Sequence, residues 1–313
     1  MPHPNTLEAR KLQDQVDSDV LRSLSLTTRK TYFTAWKKFK HFIHQHFTIR
    51  FHHISKDHVS MYVSHLHNQH YKASSIKSQL SAIGFIFESS GLDNPTKSFK
   101  IQKQLSFYQR TDRQPPIRKP ITRDILFKII RAVKQVFNTK YDRSLYIALF
   151  TTMYHAALRV SEVCTSPTNK HNLLNHQIRL IRNHGHTNLE ISFKTYKHMH
   201  HPSPPLLLQP TKEIDCPVKS YSSYHKLRGN RLGAAFQDFH GSPITRTNLL
   251  SALNYCITLA GLSQDEYNTH SFRIGKTTDL AQQGYSYPEI SLIGRWKSNA
   301  FIRYIKPTTI QTS

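Results

Sequence analysis

Apolar residues recur at helical spacing through the first third of the chain. Between residues 28 and 47, Tyr32, Trp36, Phe39 and Ile43 fall at i, i+4, i+7 and i+11, which predicts one buried stripe on a helix with Thr28 as its N-cap. A second helix is expected after Ser55, with Val59, Tyr62, Val63 and Leu66 on its inner face. A third, over 74–91, repeats Ile76, Leu80, Ile83 and Phe87 and stops at Gly91, a residue suited to the left-handed position after a helix. A shorter amphipathic piece from Phe99 to Leu105 completes a four-helix unit spanning 21–108, and residues 1–20 ahead of it are expected to be flexible.

The periodicity stops at "QRTDRQPPIRKP", 109–120, where Pro, Arg and polar residues predict an extended basic linker. Beyond it, Thr122 is expected to cap the helix "ITRDILFKIIRAVKQVF", and a longer apolar helix runs through Leu145, Leu149 and Met153. Between 176 and 209 the spacing changes. "HQIRLIR", "LEISF" and "PPLLLQP" are short, bounded by turn residues, and read as three small strands. Helical patterning returns from Cys216 to the end. The expected fold is therefore mainly α with a small β-sheet, its second domain covering 121–313. A chain of 313 residues is long enough to give each domain its own core.

Charge narrows the class of partner. The formal net charge is +24, and residues 1–150 hold 25 basic and 10 acidic side chains against 18 and 9 in the remainder. An excess spread over a folded, aromatic-containing chain suits a polyanion, which points to nucleic acid without specifying any chemistry. Between the apolar stripes of the first unit lie Arg29, Lys30, Lys37, Lys38, Lys40, Lys56, Lys72 and Lys77. Taken singly, each is an ordinary solvated residue; together they suit a module that grips phosphates, and Arg110, Arg113 and Arg118 extend the row into the linker. No run approaches the ~18 apolar residues a membrane span needs, and the start shows no apolar signal core. Cys164, Cys216 and Cys256 are too few and too scattered for a disulfide framework. The 21 histidines include "HMHH" at 198–201 and "HGH" at 184–186, but no carboxylate stands within them and no helical H-E-x-x-H occurs. Neither a metal nor another cofactor is expected, and the protein reads as intracellular.

Four stretches carry the candidate chemistry: "HAALRVSEVC" with Arg159 and Glu162, "LEISFKTYK" with Lys194 and Lys197, "HSFRIGKTT" with His270 and Arg273, and "GRWKSNAFIRYIKP" with Trp296 and Tyr304. Alone, each admits a bland reading as core or surface. Their order resembles the tyrosine recombinases of the phage-integrase family, along nearly the whole chain, and the detail around "CPVKSY", "GSPITRTNL", "HSFRIGKTT" and "GRWKSNAFIRYI" is similar to recombinases of eukaryotic mobile elements of the DIRS, Ngaro and Crypton kind. That resemblance implies an N-terminal SAM-like core-binding domain and a C-terminal catalytic domain clamped around double-stranded DNA. It also implies a homotetramer on paired sites, and a nuclear location if the host is eukaryotic.

The implied chemistry explains the residue types. Tyr304 would attack phosphorus and form a 3′-phosphotyrosyl link, conserving the bond energy without a metal or ATP. Arg159 and Arg273 would hold the charge that develops on the phosphate, a task for paired guanidiniums. His270 would accept the tyrosyl proton, Lys194 (or Lys197) would protonate the departing 5′-oxygen, Trp296 would stand where many members have histidine, and Glu162 would anchor the site. Two alternatives share the resemblance: a type IB topoisomerase activity, and a catalytically silent DNA-binding protein derived from a mobile element. The complete set of six catalytic positions speaks against the silent form, because drift removes such residues readily.

Overall fold

The computed structural model describes residues 6–112, 118–166, 172–183, 185–194, 204–296 and 299–305, with the side chains of 300 and 303 excepted. Arg113, Lys197, the "HMHH" cluster and His184 lie outside the described residues. The chain divides into two compact units, 1–115 and 116–313.

In the first unit, α1 (Leu7–Arg22) is followed by α2 (Leu26–His46), α3 (Lys56–Asn68), α4 (Ala73–Ser89) and α5 (Phe99–Thr111). Helix α1 covers most of the stretch expected to be flexible. Thr6 Oγ1 accepts from the Ala9 amide, and Leu, Glu, Ala, Lys and Gln favour helix locally, although no residue of α1 is buried. The cap of α2 is Ser25, not Thr28: its hydroxyl accepts from the Thr28 amide at 3.1 Å and adds a turn to the helix. Ser55 caps α3 as expected, and Gly91 follows α4 with φ +70°. The core joins Phe39, Phe42, Ile43, Val59, Tyr62, Leu66, Ile76, Leu80, Ile83, Phe87 and Ile101, so the stripes read from the sequence meet in one interior. Helix α5 runs on to Thr111, which makes the first residues of the expected linker, including Arg110, helical.

The second unit opens with α6 (Arg123–Val136), α7 (Lys140–His155) and the single turn α8 (Val160–Val163). An antiparallel sheet follows in the order β1 (Ile178–Asn183), β2 (His186–Ile191) and β3 (Leu206–Leu208). Leu180 faces Leu189, which in turn faces Leu208, a register that lets the sheet bury one apolar face. Then come α9 (Pro217–Arg228), α10 (Arg246–Leu259), α11 (Ser271–Gln282), α12 (Tyr287–Gly294) and a 3₁₀ segment over Asn299–Tyr304. The main core surrounds α7, and a small satellite of Leu280, Ile290 and Phe301 carries Trp296 and Tyr304 on its side. The chain at 118–121 is extended against the segment that leads into α11. The Lys119 amide donates to Glu266 O and the Ile121 amide to Ser271 O. A side chain at Gly275 would overlap the backbone of Ile121, so this close approach requires glycine.

Candidate active site

Two helix C-termini and two helix N-termini meet in the second unit. Helix α7 ends at His155, and the chain reverses through Ala157, a non-glycine residue held at φ +45°. Arg159 then stands at the N-cap of α8, and Glu162 reaches back so that Oε2 accepts from the Arg159 amide at 2.8 Å. Opposite, α12 closes on Arg295, itself left-handed at φ +54°. These reversals leave the carbonyls of Ala156, Ala157, Ile293, Gly294 and Arg295 beyond their helical partners. Such groups at a helix C-terminus carry partial negative charge and attract cations.

Three guanidiniums answer them. Arg273 donates to Ala157 O and Gly294 O; Arg159 donates to Arg295 O at 2.9 Å and to Glu162 Oε1 at 3.0 Å. Arg295 donates to Ala156 O at 3.1 Å and to Glu162 Oε2 at 2.8 Å, with its plane over the Phe193 ring. Glu162 is fully buried. Burial opposes its charge, yet Arg295 and Arg159 hold its carboxyl below the usual range. Arg273 is 1 % exposed, and burial, then Arg159 and Arg295, pull its pKa down. One carboxylate thus faces three cations, which leaves the cluster with excess positive charge.

At the edge of this cluster, His270 Nε2 lies 2.9 Å from the Tyr304 hydroxyl. Desolvation of the ring, then Arg273 and Arg159, keep His270 below its ordinary pKa and favour the neutral imidazole. The carbonyl of Tyr304 accepts from Thr278 Oγ1 at 3.0 Å, which ties the 3₁₀ segment to α11. Trp296 lies with its ring 3.8 Å from the Arg273 guanidinium, and a side chain at Gly294 would overlap that ring.

The structure brings Arg159, Glu162, His270, Arg273, Trp296 and Tyr304 together. His270 is the N-cap residue of α11 and faces outward, while Arg273, a turn inside, is buried against carbonyls. Lys194 is exposed in a bend beyond the end of β2, and no hydrogen bond or ion pair ties it to the cluster among the described residues. It follows Phe193, the ring under Arg295, and so stands next to the site. In the first unit Lys30, Lys37 and Lys77 are exposed, and Arg29 Nε donates to Leu24 O at 3.0 Å. Arg110 is exposed on α5, whereas Arg118 is held by Asp265 O.

Arg295 was not singled out from the sequence, although it stands beside Trp296 in "GRWK". Nor was the neighbouring network in which the buried Asp215 takes a bidentate pair from Arg123 at 2.9 and 3.0 Å and a contact from His155 at 3.1 Å. Among the described residues no cluster of His, Cys, Asp and Glu forms a metal site, and no helix is long and apolar enough to cross a membrane.

The fold and this tyrosine–histidine–arginine cluster define a tyrosine recombinase. Residues 120–308 match the phage integrase family and residues 12–96 the phage integrase N-terminal SAM-like domain, so the chain belongs to the phage integrase family. Similar solved structures include XerH site-specific recombinase bound to a palindromic difH substrate, at 15 % identity and TM-score 0.64, covering 93 % of this chain and 80 % of that one. The Tn1549 transposon integrase with transposon right end DNA matches at 13 % identity and TM-score 0.61, covering 95 % of both chains. A lambda integrase tetramer bound to a Holliday junction matches at 14 % and TM-score 0.58, covering 93 % and 78 %. At these identities the likeness is one of fold. No curated protein matches.

Proposed function

We propose that the chain breaks and rejoins strands of duplex DNA at specific sites, as a homotetramer on paired sites, with Tyr304 as nucleophile. The observation that carries this reading is the Tyr304 hydroxyl held by His270 at the rim of a buried cationic cluster. The Tyr304 oxygen bonds to phosphorus, the bond to the 5′-oxygen breaks, the tyrosyl proton passes to Nε2 of His270, and Lys194 protonates the departing oxygen. Arg159, half-buried, donates to the non-bridging oxygens, and Arg273, buried beside it, adds its positive charge. Their bonds to carbonyls and Glu162 use two of the five N–H donors on each guanidinium. The proposed origin is a eukaryotic mobile element of the DIRS, Ngaro or Crypton kind, which places the protein in the nucleus; the support is the "GRWKSNAFIRYI" stretch.

A nicked duplex carrying the ends of the encoding element tests the reading, because loss of the cleaved fragment traps the covalent complex. The full chain is expected to form a phosphotyrosyl adduct and Tyr304→Phe none, with DNA affinity nearly unchanged, since one hydroxyl is lost and little volume. An adduct on the Phe variant would move the nucleophile to another tyrosine. Arg159→Ala is expected to slow capture by about two orders of magnitude or more.

A further inference from the structure

Helices α2 and α4 of the first unit enclose an open groove of about 440 Å³, lined by Lys30, Thr31, Thr34, Lys38, Ser78 and Gln79 among others. No carboxylate lines it. Lys30, Thr31, Thr34, Lys38 and Ser78 are exposed, while Gln79 is half-buried at the floor. Lys38 is held in place: its ammonium donates to the Tyr71 hydroxyl at 2.9 Å and lies over that ring. Lys30 and Lys38 are eight residues apart, about 12 Å along the helix axis at 1.5 Å per residue, close to the ~12 Å width of the DNA major groove.

The floor has a fixed polarity. Tyr62 is 1 % exposed, and its hydroxyl donates to Gln79 Oε1 at 2.7 Å. Turning the amide over would face that buried O–H with an NH₂ and leave it without an acceptor, a penalty of about 1–3 kcal/mol. The Gln79 oxygen is therefore committed inward and its NH₂ is the group presented to the groove.

We propose that this groove takes the major-groove edge of a base pair, with Gln79 as a locked donor that selects guanine. The proposal rests on the reading of the chain as a DNA recombinase. A free glutamine pairs with adenine, donating to N7 and accepting from N6. With its oxygen held by Tyr62, Gln79 offers donors alone. Guanine presents two adjacent acceptors, O6 and N7, whereas cytosine presents a donor. Lys30 and Lys38 on the rim neutralise phosphates and carry no sequence information.

Selection of duplexes from a random-sequence pool by the full-length protein tests this, with base frequencies read at each position of the retained DNA. One position is expected to favour guanine by about tenfold. In Gln79→Glu the outward group becomes an acceptor, and the same position should turn to cytosine. Tyr62→Phe keeps the ring and frees the amide, so adenine should join guanine there. Gln79→Ala should flatten that position alone. Lys30→Ala and Lys38→Ala should weaken binding to all sequences equally and lower the salt slope by about one each. Thermal unfolding of each variant separates a lost contact from a lost fold. Identical base preferences in the wild type and a folded Gln79→Glu variant would overturn the assignment, even with DNA still bound and cleaved. Retention of no DNA at all would instead overturn the recombinase reading, and this inference with it.

Discussion

At His270 the direction of the pKa shift sets a pH dependence. The ring must be neutral to accept the Tyr304 proton, and its pKa lies below the ordinary 6.5 through desolvation and the nearby guanidiniums. A base with a lowered pKa is already deprotonated at neutral pH. Single-turnover cleavage is therefore expected to be flat from pH 6.5 through neutrality and to show an acid limb below that range, with the limb abolished in His270→Gln. A limb centred above pH 6.5 would mean that the histidine is charged in the resting site and that another group takes the proton. The candidate residues were legible in the sequence because their chemistry lies in side-chain type and order, from Arg159 through Tyr304. Arg295 was not, because its part depends on a left-handed backbone at the end of α12 that turns its guanidinium to Glu162. The contrast between outward His270 and buried Arg273 was equally hidden: a three-residue spacing fixes neighbourhood on a helix, not which side chain the core covers.

At the ends of the elements a glycine and a buried carboxylate matter as much as the large residues. Gly294 closes α12 with the Trp296 ring directly above it, so a methyl there must push the ring off Arg273. Alanine is the better helix former by about 1 kcal/mol, and the overlap outweighs that gain locally. Gly294→Ala is expected to lose covalent capture by more than tenfold while the unit keeps its cooperative unfolding; unchanged capture would show that Trp296 is dispensable where it sits. Asp215 is tied to α6 through Arg123 and to α7 through His155, and those bonds hold its carboxylate low against the opposing effect of burial. A depressed carboxylate stabilises the fold above its unfolded pKa near 3.8, and that contribution is lost as pH falls through the lower folded value. Asp215→Asn is expected to cost about 2 kcal/mol at neutral pH, the scale of hydrogen bonds to a charged group. The larger penalty of a stranded buried ion does not apply, because Arg123 is 42 % exposed and can hydrate. Helices and strands themselves were readable where an apolar stripe recurs. The first helix escaped because it buries nothing, and Ser25 was missed as a cap because the cap lies before the stripe begins.

For the whole molecule, charge decides how the protein meets DNA. Residues 1–115 hold 17 basic and 8 acidic side chains, and residues 116–313 hold 26 and 11, so each unit has its own excess. Most of these cations among the described residues are exposed, and exposed pairs with carboxylates are worth little in water. On the proposed function, their energetic role is the release of counterions from phosphates. The logarithm of the binding constant should fall linearly with the logarithm of salt, with a slope of about 0.9 for each phosphate neutralised. If both units grip the duplex, some six to ten phosphates are engaged and affinity falls about 10³- to 10⁵-fold between 50 and 200 mM salt. Removing exposed charges tests the two units in one intact chain. Lys37→Ala with Lys77→Ala in the first unit, and Arg179→Ala with Arg182→Ala on β1 of the second, should show which faces meet the duplex. A pair that contacts phosphate lowers the slope by about two without altering sequence preference, and a pair that faces solvent leaves it unchanged. The first pair is expected to lower the slope, because both lysines are exposed on α2 and α4, the helices that flank the polar groove. The second is expected to lower it by one at most, because Arg179 is paired with Glu190 across the sheet at 2.6 Å and, of the two, only Arg182 is exposed without an ion pair to the described residues. A full-chain slope near zero would mean that neither unit binds through phosphates, and the clamp implied by the resemblance would have to be abandoned even with cleavage intact.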